Sequence, residues 1–172
     1  MLTNITSDTF LHLRTIIHQL SDAEFTEKLE LLNGSSIGQH VRHILEFYIC
    51  LSEGIKTGEV DYDKRVRNLS IENNPYYAIR LLDELSTVFC CDEIAETPLT
   101  NTIEFNGVDI VANSSVRREL IYLIEHSIHH YAIIGIALRS RFRNVEIPHH
   151  FGVAYSTAKH KMSLESELIH QH

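Results

Sequence analysis

The chain has 172 residues, an ordinary hydrophobic content of 44% and a formal net charge of −8. Its length fits a single domain spanning residues 1–172, and its acidic balance argues against a nucleic-acid-binding surface, which depends on clustered lysine and arginine. No apolar stretch reaches about 18 residues without a charge or a histidine, so we expect no membrane span.

The cysteines and the N-terminal residues favour a cytoplasmic protein. The three cysteines, Cys50 and the vicinal pair Cys90-Cys91, cannot form a complete set of internal disulfides. A reducing compartment is the simplest setting for such a set. Residues 1–10 show neither the basic leader nor the apolar core of an export signal. We therefore expect a soluble, unexported protein.

The first two predicted elements are amphipathic helices, because apolar residues recur there at spacings of three and four. This period predicts a first helix from about Ser7 to Leu20. Residues 36–39, Ser-Ile-Gly-Gln, have the form of a capping box and predict the start of a second helix. Gly54 and Gly58 are expected to mark its end.

A polar stretch and a hairpin signal flank the third predicted helix. Residues 59–74 are polar and are typical of a connecting loop. Asn74-Pro75 combines a good N-cap residue with proline at the first helical position and predicts the start of the third helix. Residues 102–111 alternate apolar and polar side chains around Asn106-Gly107, which predicts a short β-hairpin between the third and fourth helices.

The fourth predicted helix carries the most unusual stretch of the chain, Glu-His-Ser-Ile-His-His at residues 125–130. Residues 113–115, Asn-Ser-Ser, supply its cap, and it is expected to run to about Arg139. His126 and His130 are four residues apart and so leave the same helix face about one turn apart. That spacing is close enough for both imidazoles to bind one cation.

A third candidate ligand lies on the second helix, at His40 or His43. Periodicity places His40 nearer the centre of the apolar stripe, so spacing alone does not favour His43. The alternative is that these are packing or solvent-facing histidines, since a pair arises easily in a chain with twelve of them. The apolar context favours a metal, because buried imidazoles need hydrogen-bond or metal partners.

Two segments resemble the DinB/YfiT-like metalloenzymes. They are residues 36–46, Ser-Ile-Gly-Gln-His-Val-Arg-His-Ile-Leu-Glu, and residues 126–135, His-Ser-Ile-His-His-Tyr-Ala-Ile-Ile-Gly. The order of helices and hairpin is similar as well, and the resemblance covers most of residues 5–160. It implies an all-α fold, an antiparallel four-helix bundle with a short β-hairpin between helices 3 and 4. It also implies a homodimer.

The resemblance further implies one divalent transition metal per chain, zinc before nickel or iron, held by one histidine of helix 2 and a pair on helix 4. Matched residue by residue, these ligands fall on His43, His126 and His130. His43 is preferred over His40 because Ile-Leu-Glu follows it, as in the family pattern. His129 receives no metal role. Residues 131–133, Tyr-Ala-Ile, depart from the family pattern, so no role is carried over to them.

The first functional hypothesis that follows is a thiol-dependent S-transferase acting on a small electrophile. The metal would favour the thiolate of a low-molecular-weight thiol, and polar side chains near it would hold anionic groups. Polarity alone nominates Arg42, Arg65, Arg67 and Tyr62 for that purpose.

Two other hypotheses stay open. A metal-dependent hydrolase would use Glu46 as a base, although Glu46 is expected opposite the apolar stripe of helix 2. A non-catalytic, metal-binding stress-response dimer would instead have a closed site. His149, His150 or His160 could then fill a fourth ligand position.

Overall fold

The structure is a computed structural model that describes residues 2–89, 91–160 and 163. It is mostly helical with a small three-stranded sheet, so the prediction of a mainly helical fold is confirmed. The α-helices are α1 Leu2–Gln19, α2 Asp22–Thr26, α3 Ile37–Thr57, α4 Leu69–Asn73, α5 Pro75–Phe89 and α6 Val116–Arg141, and residues 155–160 are also helical. The strands are β1 Glu59–Val60, β2 Pro98–Phe105 and β3 Val108–Ser115.

Local capping fixes the ends of the two longest helices. The Ser36 hydroxyl accepts from the Gln39 backbone N–H, and the Gln39 side chain accepts from the Ser36 N–H, both at 3.1 Å. Helix α3 ends at Gly58, whose positive φ of 83° closes the last turn. Helix α6 begins after Ser115, whose side chain accepts from the Arg118 N–H. These predicted boundaries are confirmed.

Helix α1 and the segment before α5 differ from the prediction. Helix α1 begins at Leu2 rather than near Ser7, because the hydroxyls of Thr6 and Thr9 bond back to main-chain carbonyls and let both residues lie buried in the helix. Residues 59–74 are not simply a loop, since they contain β1 and α4. Helix α4 is held by Ile71, which is fully buried.

The sheet is larger than the predicted hairpin. Strands β2 and β3 pair antiparallel and turn through Asn106 and Gly107, whose positive φ values of 53° and 79° suit a tight hairpin turn. Strand β1 adds to the other edge of β2 in parallel, with Glu59 opposite Thr100. The expectation of a bare hairpin between helices 3 and 4 was therefore wrong, because a two-residue strand carries no alternation that a sequence can show.

Packing across α3 and α6 positions the functional residues. Helix α3 contacts α5 and α6, and α1 contacts the same two helices. The Tyr48 hydroxyl of α3 lies 3.2 Å from the Ser127 hydroxyl of α6, and both residues are buried. The Tyr131 hydroxyl donates to the Thr9 carbonyl at 2.8 Å. These contacts set the rotation of α6 relative to α3. In the described part of the chain, each helix is too short or too polar to cross a membrane.

Candidate metal centre

Helices α3 and α6 bring three histidines together. One ring nitrogen each of His43, His126 and His130 lies within 4.8 Å of the others. The ring centroids are 5.0 Å apart for His43 and His126, and 4.7 Å apart for the other two pairs. The i, i+4 pair therefore shares one face of α6, as its spacing predicts, and α3 supplies the third imidazole.

His40 lies beside this group rather than in it. Its Nδ1 is 3.0 Å from Nδ1 of His130, with ring centroids 5.3 Å apart. Helical spacing left open whether His40 or His43 is the third candidate ligand. The geometry favours His43, because His43 belongs to the group of three ring nitrogens and His40 does not. His129 is exposed, and its ring centroid lies 5.5 Å from that of His130. That the three grouped histidines bind a metal stays a prediction.

Burial keeps these imidazoles neutral. Loss of solvent, followed by the nearby His126 ring, lowers the pKa of His43 to about 4 and that of His130 to about 3. Burial also lowers the pKa of His40 and of His126. Metal ligation requires the unprotonated ring nitrogen, so the lone pairs are available near pH 7.

The donor set fits a divalent transition cation. Nε2 of His126 is buried and has no hydrogen-bond partner among the described residues. A buried polar atom without a partner is costly, and a cation shared with His43 and His130 would supply one. Neutral imidazole nitrogens are suitable ligands for zinc, nickel and iron.

The pKa shifts predict that the metal-free protein loses stability in weak acid. The folded pKa values of His43 and His130 lie below the ordinary histidine value of about 6.5, so the unfolded chain takes up protons first as pH falls. The contribution of these groups is complete above about pH 6.5 and declines towards pH 4. Urea unfolding midpoints of chelator-treated protein at pH 8, 6 and 5 should fall in that order.

The matched control is the variant with alanine at His43, His126 and His130. Its midpoint should fall less between pH 8 and pH 5, because the two histidines with the most strongly lowered pKa values, His43 and His130, have been removed. An equal fall in both proteins would contradict the assignment.

A buried carboxylate with two arginines lies behind the histidines. Glu46 is 2% exposed, and its carboxylate lies 3.4 Å from Arg42 Nε and 3.6 Å from Arg65 Nε. It also accepts from the Asn68 N–H at 2.8 Å. Arg42 forms a second ion pair with Glu72. Glu46 does not point away from the protein as expected, because α4 and the segment leading to it cover that face of α3.

These ion pairs change the roles expected from polarity. Arg42 and Arg65 are already neutralised by carboxylates and are poor candidates for holding an anion. The Tyr62 hydroxyl donates to the buried Glu119 at 2.9 Å and is likewise committed. Arg67 is exposed. Glu46 itself is too tightly held to act as a mobile base.

Phe47 forms the inner wall of the site, a part that sequence reasoning missed. Its ring stacks on His126, with centroids 4.6 Å apart and planes 16° apart, and on Tyr62, with centroids 4.9 Å apart. The Arg65 guanidinium covers Phe47 at 4.9 Å, and its Nη2 lies 3.4 Å from His43 Nδ1. Phe47 follows His43 by four residues on α3, so helical spacing would have indicated it.

The opposite side of the histidine group opens into a cavity of about 290 Å³. Its lining is polar and includes three of the four clustered histidines: Ser35, Gln39, His40, Arg42, His43 and His130. Water or a small molecule can therefore reach the group from the N-terminal end of α3, and a second cavity of about 190 Å³ lies on the other side of Phe47.

The histidines proposed as a fourth ligand lie elsewhere. His149 and His150 pack on each other with ring centroids 3.8 Å apart, and they line a separate cavity beside Tyr131 and Tyr155. His160 is exposed. Among residues 2–89, 91–160 and 163, the group within 4.8 Å includes none of these three histidines.

The two cysteines that the structure describes, Cys50 and Cys91, show no neighbouring base that would activate a nucleophile. The Cys50 thiol donates to the Asp61 carbonyl at 3.3 Å, and burial raises its pKa. Cys91 is half-buried and free, and Cys90 lies outside the described residues. Neither Cys50 nor Cys91 lines the cavity beside the three histidines.

Comparison with known proteins assigns no family. No protein-family model matches the chain, and no solved structure matches it significantly. A protein named FK506-binding protein 5 from Rhizopus delemar is 36% identical over 107 residues, which are 59% of this chain and 27% of that protein. The chain thus spans about a quarter of that relative, and the FK506 binding in the name belongs to the relative.

Proposed function

We propose that this chain is a metal-dependent enzyme of the DinB/YfiT-like type, with α1, α3, α5 and α6 forming an antiparallel four-helix bundle. The contacts of α1 and α3 with both α5 and α6 support that architecture. His43, His126 and His130 bind one divalent transition metal, zinc before nickel or iron. The observation that carries the proposal is their convergence within 4.8 Å beside a cavity.

The access to the site favours a catalytic metal over a structural one. Structural zinc sites are usually closed by four protein ligands, whereas catalytic sites keep a position for water or substrate. Among the described residues three imidazoles form the group, and His43 and His130 also line the cavity of about 290 Å³. This geometry weighs against the purely structural, stress-response alternative.

The activity is a thiol-dependent S-transfer to a small electrophile. A cation bound here would favour the thiolate form of a thiol that coordinates it. The thiolate sulfur forms a bond to the electrophilic carbon, and the leaving group departs with the electron pair of the bond that breaks. The thiol proton passes to solvent through the cavity. Phe47 covers one face of the His126 ring, and the cavity limits both partners to small molecules.

Hydrolysis has less support. Its nominated base, Glu46, is 2% exposed and held by two guanidinium groups and a backbone N–H. A proton taken up by that carboxylate would leave Arg65 without an anionic partner among the described residues, whereas Arg42 would keep Glu72. A cytoplasmic homodimer belongs to the same proposal, and rests on the family resemblance and on the cysteines.

The test is the consumption of a generic electrophile, 1-chloro-2,4-dinitrobenzene, by zinc-loaded protein with and without a low-molecular-weight thiol. We expect turnover that requires glutathione, bacillithiol or mycothiol and that disappears in the variant with alanine at His43, His126 and His130. This variant retains Cys50, Cys90 and Cys91, so any direct reaction of a cysteine with the electrophile also occurs in the control. Equal rates for the two proteins with every thiol would reject the transferase.

A further inference from the structure

We infer that His40 is a positioning residue for His130. The His40 Nδ1 accepts the Nδ1–H of His130, and this hydrogen bond directs the Nε2 lone pair of His130 to the metal. The inference rests on the proposed metal site and extends it to a residue outside the group of three ligands. It gives both histidines of α3 a role, His43 as a ligand and His40 as the support of His130 on α6.

The distance between the two rings is that of one hydrogen bond. Nδ1 of His40 and Nδ1 of His130 are 3.0 Å apart, a normal hydrogen-bond length, so one nitrogen donates and the other accepts. Both rings are half-buried. In a pair of neutral imidazoles each ring carries one N–H, so one N–H lies in the hydrogen bond and the accepting ring carries its own on the other nitrogen. Each neutral ring then has a fixed tautomer.

Metal ligation selects the direction of this hydrogen bond. If His40 donated, His130 would accept at Nδ1 and carry its proton on Nε2, and no nitrogen of His130 would be free to bind a cation. If His130 donates from Nδ1, its Nε2 carries no proton, and the Nε2 lone pair is free to bind a cation. Ligating histidines generally donate their second ring N–H to an acceptor, which fixes the orientation of the ring.

The site offers His40 no competing partner. Nε2 of His40 is buried and has no hydrogen-bond partner among the described residues. The contact with His130 is thus the hydrogen bond that the structure gives to this ring.

Two substitutions at His40 and one at a neighbouring histidine test the inference. His40→Phe keeps the ring but removes the acceptor, whereas His40→Asn places an amide oxygen near the position of Nδ1. His129→Asn changes an exposed histidine adjacent to His130 and serves as the matched control. Zinc affinity is measured by competition with a chelator, and long-range ¹H–¹⁵N spectra report which nitrogen of His130 is protonated.

We expect zinc binding to His40→Phe to be about 10- to 100-fold weaker than to the wild type, with substantial recovery in His40→Asn and no change in His129→Asn. In the zinc-loaded wild type, His130 should be bound through Nε2 and protonated at Nδ1. Unaltered affinity in His40→Phe, or His130 bound through Nδ1, overturns the inference while the metal site stands. A fourth ligated histidine at position 40 also overturns it. If the wild type binds no zinc, the proposed function fails, and the positioning role fails with it.

Discussion

Replacing His43, His126 and His130 together with alanine is expected to abolish metal binding. Untagged protein purified without chelator should contain about one transition metal per chain, because three neutral imidazoles converge within 4.8 Å. The variant should contain none, since the remaining neighbour, His40, is a single imidazole. Elemental analysis by plasma mass spectrometry gives the stoichiometry directly.

The control for this experiment is a second triple variant with alanine at three exposed histidines, His18, His129 and His160. It removes the same number of imidazoles but leaves the site intact, so its metal content should equal that of the wild type. If the site variant kept full occupancy, or if the surface variant lost its metal, the assignment of the ligands would be rejected. Circular dichroism of both variants checks that the helices are retained.

Glu46→Ala is expected to destabilise the fold by about 3–5 kcal/mol, the range measured when one partner of a buried ion pair is removed. Glu46 is 2% exposed, and the side chains of Arg42 and Arg65 are 16% and 19% exposed. Without the carboxylate, Arg65 keeps no anionic partner in the described part of the chain, and the Asn68 N–H loses its acceptor. The free energy of unfolding in urea gives the size of the loss.

Glu53→Ala provides a matched control on the same helix. Glu53 forms an ion pair with Lys56 at 2.8 Å, but both side chains are more than 60% exposed, so its loss should change stability by less than about 1 kcal/mol. Similar effects for the two substitutions would show that the Glu46 carboxylate is not buried with its arginines as the structure has it. Glu46→Gln, which keeps shape but not charge, should fall between them.

Features that depend on neighbouring residues were predictable from the sequence. The capping box at Ser36 and Gln39, the start of α5 at Pro75 and the start of α6 after Ser115 all rest on contacts within four residues. The common face of His126 and His130 likewise follows from helical geometry. These features can be predicted without knowledge of the fold, because each depends on a single stretch of chain.

The missed elements depend on distant partners. Strand β1 exists because β2 pairs with it across some forty residues of chain, and two residues give no period of their own. Helix α4 is held by the fully buried Ile71 and by close packing of its backbone against Gly38 of α3. Both elements lie in the polar residues 59–74, whose few apolar side chains show neither a helical nor a strand period.

At the candidate site, helical spacing was enough to predict an i, i+4 histidine pair on one helix and two more candidate histidines on another. It could not show that His43 faces the pair or that His40 lies against His130. Periodicity describes each helix alone, whereas the rotation of α3 against α6 depends on buried contacts such as that of Tyr48 with Ser127. A different contact, that of α4 and the segment before it with α3, buries Glu46 between Arg42 and Arg65.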